Sequence, residues 1–127
     1  MSIANHKDFD KLMDTVHVLR SHYSTIATKV EREKLKAQIR GQTDKAAEYG
    51  KLLKKMQSDH DKALDLIGDK LTTPEQLQAT RRELRSAADT AHKFIQSIKK
   101  ATLTVKKVTE AAGFLTTLVT DLRKILN

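Results

Sequence analysis

The sequence predicts an all-α fold, an elongated antiparallel helical bundle or hairpin with one long C-terminal heptad helix. Apolar residues recur every three to four positions along most of the chain. Charged residues make up 31% of it and hydrophobic residues 39%, and only one Pro and four Gly interrupt 127 residues. This composition is typical of long helices with narrow apolar faces. We expect one helical domain over residues 1–127.

The first two helices are expected over about 8–40 and 43–69. The apolar pattern starts at Phe9, loses phase in the charged run at 31–34 and resumes in a shifted register. Between the two registers lies 40–44, where Gly41 can end one helix and Thr43 or Asp44 can cap the next. One continuous helix over 8–69, which would make the chain a two-helix hairpin, is the alternative.

A second break is marked more clearly. Gly68 is placed to end a helix, Thr73 to be an N-cap and Pro74 to be the first helical residue. Gln76, three residues after Thr73, completes a capping box. The third helix is therefore expected to start at Pro74.

This third helix is expected to run from 74 to 126 because its seven-residue repeat does not slip. Two positions of the repeat form an apolar seam, which comprises Leu77, Thr80, Leu84, Ala87, Ala91, Phe94, Ile98, Ala101, Val105, Val108, Ala112, Leu115, Val119, Leu122 and Leu126. A straight helix of this length would be roughly 80 Å long. A bend near 100–102, which would complete a four-helix bundle, is the alternative, although no Gly, Pro or Asn lies there. Small and apolar residues beside the seam indicate contact among three or more helices.

The end of this helix carries the leading functional hypothesis. The stretch 111–120 has no charge, and the apolar surface broadens there beyond the seam. We expect a non-enzymatic interaction module that self-associates, or docks on a helical protein partner, through its C-terminal helix. The predicted interface comprises Phe114, Leu115, Leu118, Val119, Leu122, Ile125 and Leu126. Packing against the chain's own first two helices is an alternative, and so is a membrane-active amphipathic helix of the pore-forming kind.

A lysine stripe gives a second hypothesis, a nonspecific nucleic-acid backbone-binding subunit. The net charge is +8, of which +6 falls in 70–127. The predicted polyanion-binding residues face away from the seam, with Leu103 outward among them, and comprise Arg85, Lys93, Lys99, Lys100, Lys106 and Lys107. Such cations can follow a phosphate backbone or an anionic membrane surface. A merely solvated outer face is the alternative.

Catalysis, a metal and a cofactor are not expected. Asp14 and His17, and likewise Asp89 and His92, have the spacing of metal ligands in helical bundles, but the helical wheel turns both pairs outward. No nucleophile, phosphate loop or zinc motif is recognisable, so neither an enzyme nor a small-molecule substrate is expected. With no Cys, no secretory signal pattern and no long apolar window, a cytoplasmic protein is expected, and secretion without a signal stays open.

Overall fold

The computed structural model describes residues 6–127, with the backbone alone for His6, and over this range the chain forms four α-helices. They are α1 (His6–Ile39), α2 (Thr43–Lys70), α3 (Pro74–Lys99) and α4 (Val105–Leu126). The all-α prediction is confirmed. The favoured three-helix arrangement is wrong, because the expected third helix is divided into α3 and α4, and the four-helix alternative holds.

The helices pack as a ring in which α1 contacts α2 and α3, and α4 contacts the same two helices. Contacts between α1 and α2 show that the two are antiparallel. Tyr23 stacks on His60 with ring centroids 5.0 Å apart, and Lys34, further along α1, lies across Gly50, earlier in α2. In the second hairpin, Phe94 of α3 meets Phe114 of α4 edge to face at 6.1 Å.

Both hairpin turns lie at the same end of the bundle. Tyr23 and Ala91 line one small internal space at mid-height. From there α1 continues for 16 residues to Ile39, whereas α3 continues for eight to Lys99. At 1.5 Å per residue, the α1–α2 hairpin therefore projects roughly 10 Å beyond the α3–α4 turn.

The core lies where the heptad pattern places it. Leu77 and Leu84 of α3, Val108 and Leu122 of α4, and Leu12 of α1 are fully buried. Flanking positions are also buried, and these are Ala88, Ile95, Ala111 and Leu118. Helices α3 and α4 thus bury a face wider than a two-stranded seam, because each touches two neighbours at once. The expected contact among three or more helices is confirmed.

The turn expected at 40–44 is present and depends on glycine. Gly41 has a φ of 72°, a left-handed conformation that residues with a Cβ adopt only at a cost. The Gln42 amide donates to the Ala37 carbonyl at 2.8 Å, and the Gly41 amide donates to the Gln38 carbonyl at 3.1 Å, which is the Schellman pattern. The expected cap by Thr43 or Asp44 is wrong, because both lie inside α2 and its N-cap is Gln42.

In the connection from α2 to α3, the predicted start of α3 is correct and the predicted end of α2 is not. The Thr73 hydroxyl accepts a hydrogen bond from the Gln76 amide at 3.1 Å, and the Gln76 side chain accepts one from the Thr73 amide at 3.1 Å. The capping box is therefore confirmed, with Pro74 opening α3. Gly68 does not end α2, which continues to Lys70.

The turn at 100–104 overturns the straight C-terminal helix. Thr104 caps α4 by accepting a hydrogen bond from the Lys107 amide at 3.2 Å. Lys100 closes α3 at φ −104° and ψ −6°, so the chain reverses without a left-handed residue and needs no glycine. The reversal also turns Leu103 into the core at 8% exposure, which corrects the expectation that Leu103 faces outward.

Two glycine substitutions are expected to change stability in opposite directions. A Cβ at Gly113, inside α4, meets no atom within 4 Å, so Gly113→Ala should stabilise the fold by about 0.5–1 kcal/mol through helix propensity. A Cβ at Gly41 also has space, but the positive φ is strained for alanine, so Gly41→Ala should destabilise it by about 1 kcal/mol. Urea unfolding monitored by circular dichroism measures both. If both variants changed the free energy of unfolding in the same direction, this account of the turn would be contradicted.

Candidate polyanion interface

Positive charge is concentrated at the end of the bundle that holds the two hairpin turns. Residues 29–54 surround the α1–α2 turn and residues 93–110 surround the α3–α4 turn, and we call the two segments together the basic end. The basic end has 13 basic and 5 acidic residues, whereas the rest of the chain has 11 of each. The formal net charge of +8 is therefore carried by one end of the bundle, and the rest of the chain has no net charge.

Five of the six lysine-stripe residues lie at the basic end. Lys93, Lys99, Lys100 and Lys106 are exposed, and Lys107 is half-buried. The bend at 100–104 gathers four of these cations around a single turn, whereas a straight helix would have spread them along its length. Arg85 is exposed but lies eight residues before Lys93, roughly 12 Å further down α3. The structure thus separates Arg85 from the others.

Heptad spacing does not reveal the cations that α1 and α2 bring to the same end. Exposed or half-buried basic residues of this hairpin comprise Lys29, Arg32, Lys34, Lys36, Arg40, Lys45, Lys51 and Lys54. Acidic residues are interspersed among them, and Lys36 pairs with Glu33 at 3.2 Å, so residues 1–69 as a whole look nearly neutral. The available signal was the local excess of basic residues around Gly41.

A groove of about 640 Å³ runs between α1 and α2 at the basic end. Its lining includes the small residues Ala46, Ala47 and Gly50 and the lysines Lys34, Lys51 and Lys54. The Lys34 ammonium would come within 3.6 Å of a Cβ at Gly50. The groove is open to solvent and three lysines line it, so an anionic chain that lies in it meets positive charge.

One buried tyrosine and one buried histidine have altered proton affinity. Burial raises the pKa of Tyr49, close to this groove, and the charge of Glu33 acts in the same direction, so its phenol stays neutral. Burial lowers the pKa of His60 in the bundle core, Arg20 lowers it further, and Asp61 opposes both. Neither group adds charge to the basic end near neutral pH.

The predicted C-terminal interface lies mainly inside the molecule. Five of its residues are buried within the single chain, and these are Leu115, Leu118, Val119, Leu122 and Leu126. Phe114 and Ile125 are half-buried and pack against the same core. These seven side chains already pack against other helices of the chain, as the intramolecular alternative expected. A partner could reach the five buried ones only if the bundle opened.

A polar contact secures this face of α4 to α2. The Thr116 hydroxyl donates a hydrogen bond to the Asp59 carboxylate at 2.7 Å, and the Lys55 ammonium lies 3.5 Å from the same oxygen. Asp59 is buried, so its charge has a hydrogen-bond donor and a cation beside it rather than being left uncompensated.

Metal-binding and membrane-spanning features are absent from the described part of the chain. Asp14, His17, Asp89 and His92 are all exposed, and His92 instead meets His22 with ring centroids 5.6 Å apart. Within residues 6–127, no group of three or more potential metal ligands comes together. None of the four helices combines the length and the apolar character that crossing a bilayer requires.

Comparison of this chain with protein-family models, with curated proteins and with solved structures finds no match. A function is therefore inferred from the charges, contacts and burial of the chain's own residues.

Proposed function

We propose that this protein is a non-enzymatic helical bundle that binds the phosphate backbone of nucleic acid through its basic end, without reading sequence. The supporting observation is that the formal net charge of +8 is confined to one end of the fold. Lys/Arg side chains that neutralise phosphates release condensed counterions, which supplies the affinity of nonspecific nucleic-acid binding.

The shape of the basic end favours an extended phosphate chain. The projecting α1–α2 hairpin and the shorter α3–α4 turn form a step, with lysines along the groove above it and four more around the turn below it. Base stacking is not expected, because it depends on exposed aromatic side chains and the aromatic residues of 29–54 and 93–110, Tyr49 and Phe94, are buried.

Docking through α4 is the leading hypothesis from the sequence, but it has less support than nucleic-acid binding through the basic end. Its proposed anchors Leu115 and Leu122 are core residues, and a partner helix would have to displace α2 or α3 to reach them. Shallow membrane insertion through Phe114 and Leu118 meets the same obstacle, because Leu118 is buried. Phosphate contacts at the basic end need no such opening.

The test compares two charge reversals that leave the same net charge. Lys45, Lys51, Lys100 and Lys106 are replaced by Glu at the basic end, and in the control Lys62, Lys70, Arg82 and Arg85 are replaced by Glu elsewhere. All eight side chains are exposed. Binding to a labelled, mixed-sequence DNA duplex is followed by fluorescence anisotropy from about 20 to 200 mM salt, a range over which phosphate contacts weaken steeply.

We expect wild type to bind with a steep salt dependence and the basic-end variant to lose at least about 100-fold in affinity at low salt, with a slope shallower by about three to four. The control variant should keep most of its affinity. Equal losses in both variants would mean that net charge alone matters and would reject the proposed site. Binding only to vesicles that contain anionic lipid, with no DNA binding, would replace nucleic acid by a membrane surface.

A further inference from the structure

Exposed large apolar side chains of the described chain all belong to α1. They are Phe9, Met13, Val18, Leu35 and Ile39, and the last two are 56% and 77% exposed. The other three helices bury or half-bury their large apolar residues, so α1 alone offers apolar surface to solvent. Singly exposed apolar residues are ordinary, but their restriction to one helix marks that helix for contact.

The outward face of α1 carries a regular series of residues that we call the α1 ladder. Its spacing alternates between four and three, which is a seven-residue repeat, and all ten side chains are exposed. The ladder consists of Lys7, Lys11, Asp14, Val18, Ser21, Thr25, Thr28, Arg32, Leu35 and Ile39. A helix face with this repeat can stay in contact with another helix along its whole length.

The α1 ladder is complementary to itself when a second copy runs antiparallel. A two-fold axis at the level of Tyr23 places Asp14 opposite Arg32, so that opposite charges face each other on both sides of the axis. The same axis places Lys11 opposite Leu35 and Lys7 opposite Ile39, where the aliphatic stem of each lysine can cover the apolar side chain. A parallel pairing would instead put Asp14 against Asp14 and Arg32 against Arg32.

The centre of the ladder is suited to close approach. Residues 21–28 contain no Asp, Glu, Lys or Arg, and the axis pairs Ser21 with Thr25 and Val18 with Thr28. The Thr25 hydroxyl donates to the Ser21 carbonyl at 3.1 Å, and the Thr28 hydroxyl donates to the Ser24 carbonyl at 2.9 Å. Because these hydroxyl protons are satisfied within α1, burying the threonines against another helix leaves no donor unpaired.

We propose that the outward face of α1 is a self-association surface, on which a second copy of this chain docks its own α1 antiparallel about a two-fold axis near Tyr23. The charge complementarity of the ladder selects the occupant, because each half of the face matches its other half. The contact would run from Asp14 to Arg32, roughly 27 Å along the helix. This proposal does not rest on the binding proposed for the basic end, although Arg32 belongs to both surfaces.

A charge-swap series tests the pairing through the mass measured by sedimentation equilibrium. Asp14→Arg places Arg opposite Arg32, and Arg32→Asp places Asp opposite Asp14, in both cases twice per dimer. Each single change should weaken dimerisation by about tenfold or more, and the double variant should restore it to within a few-fold of wild type. Asp65→Arg, on the exposed surface of α2, is the matched control and should leave the dimer unchanged.

The chain has no Cys, so introduced thiols report the register. The axis places Ser21 of one copy opposite Thr25 of the other, so the variant with both Ser21→Cys and Thr25→Cys should form a disulfide-linked dimer on mild oxidation. Ser58→Cys with Lys62→Cys has the same spacing on the exposed surface of α2 and should stay monomeric. A wild type that is monomeric up to about 1 mM overturns the proposal. It is equally overturned by single reversals that leave the dimer intact, or by a double variant as weak as either single one. Circular dichroism confirms that these surface variants remain folded.

Discussion

Replacing Leu122 by Asp is expected to unfold the chain rather than only to dissociate an assembly. Leu122 is 0% exposed in the interior of the bundle. Truncating such a leucine to alanine costs about 2–5 kcal/mol, and a buried, unpaired carboxylate costs more. A domain of this size has a stability of about 5–15 kcal/mol, so the substitution removes most or all of it. Loss of the helical circular dichroism signal at 25 °C, at any protein concentration, is the measurement.

Leu35→Asp is the matched control for this experiment. Leu35 is also a helical leucine but is 56% exposed, so the same substitution should change the stability of the single chain by less than about 0.5 kcal/mol. If Leu122→Asp stayed folded and only lost an oligomer, the seam of α4 would be an interface between chains, as the sequence first indicated. The two variants therefore separate core from interface.

Heptad spacing predicted burial well because burial depends on direction around a helix rather than on how long the helix is. Leu77, Leu84, Val108 and Leu122 occupy seam positions and are fully buried, although they lie on two separate helices. The turn at 100–104 is short enough that the repeat stays in phase across it. Ala101, a seam position inside this turn, is exposed. A repeat that stays in phase thus identifies the buried face, but it does not show how many helices that face is divided among.

The candidate site could be predicted only in part, because charge adds up in space rather than along the chain. Lys99, Lys100, Lys106 and Lys107 were identified from their spacing, and the fold keeps them together. Arg85 has the same spacing but lies further down α3, away from the turn. The cations around Gly41 were not identified, since nearby acids mask them when charge is counted along the sequence. Only the packing of two hairpins with their turns at one end reveals the +8 region.

The turn between α3 and α4 should be convertible into continuous helix by a small number of substitutions. In the triple variant Thr102→Ala, Leu103→Ala and Thr104→Ala, the cap on α4 is lost, helix propensity rises and the buried anchor of the turn is removed. Propensity and cap together favour the straight form by about 2 kcal/mol, roughly 30-fold in its population. We expect dimers in which α4 is exchanged between chains, because a straight helix moves α4 away from its own α2.

Exchange through α4 differs from association through α1 in two measurable ways. An exchanged dimer forms and separates only by unfolding, so it should persist on dilution for hours, and it should be unaffected by Asp14→Arg. Thr102→Gly is the control, because glycine disfavours the straight helix and should keep the wild-type mass. A triple variant with the same mass as wild type at all concentrations would show that packing of α4 on α2, rather than the chemistry of residues 100–104, imposes the reversal. In that case the contact of Thr116 with the buried Asp59 is the next one to remove in order to weaken the packing of α4 on α2.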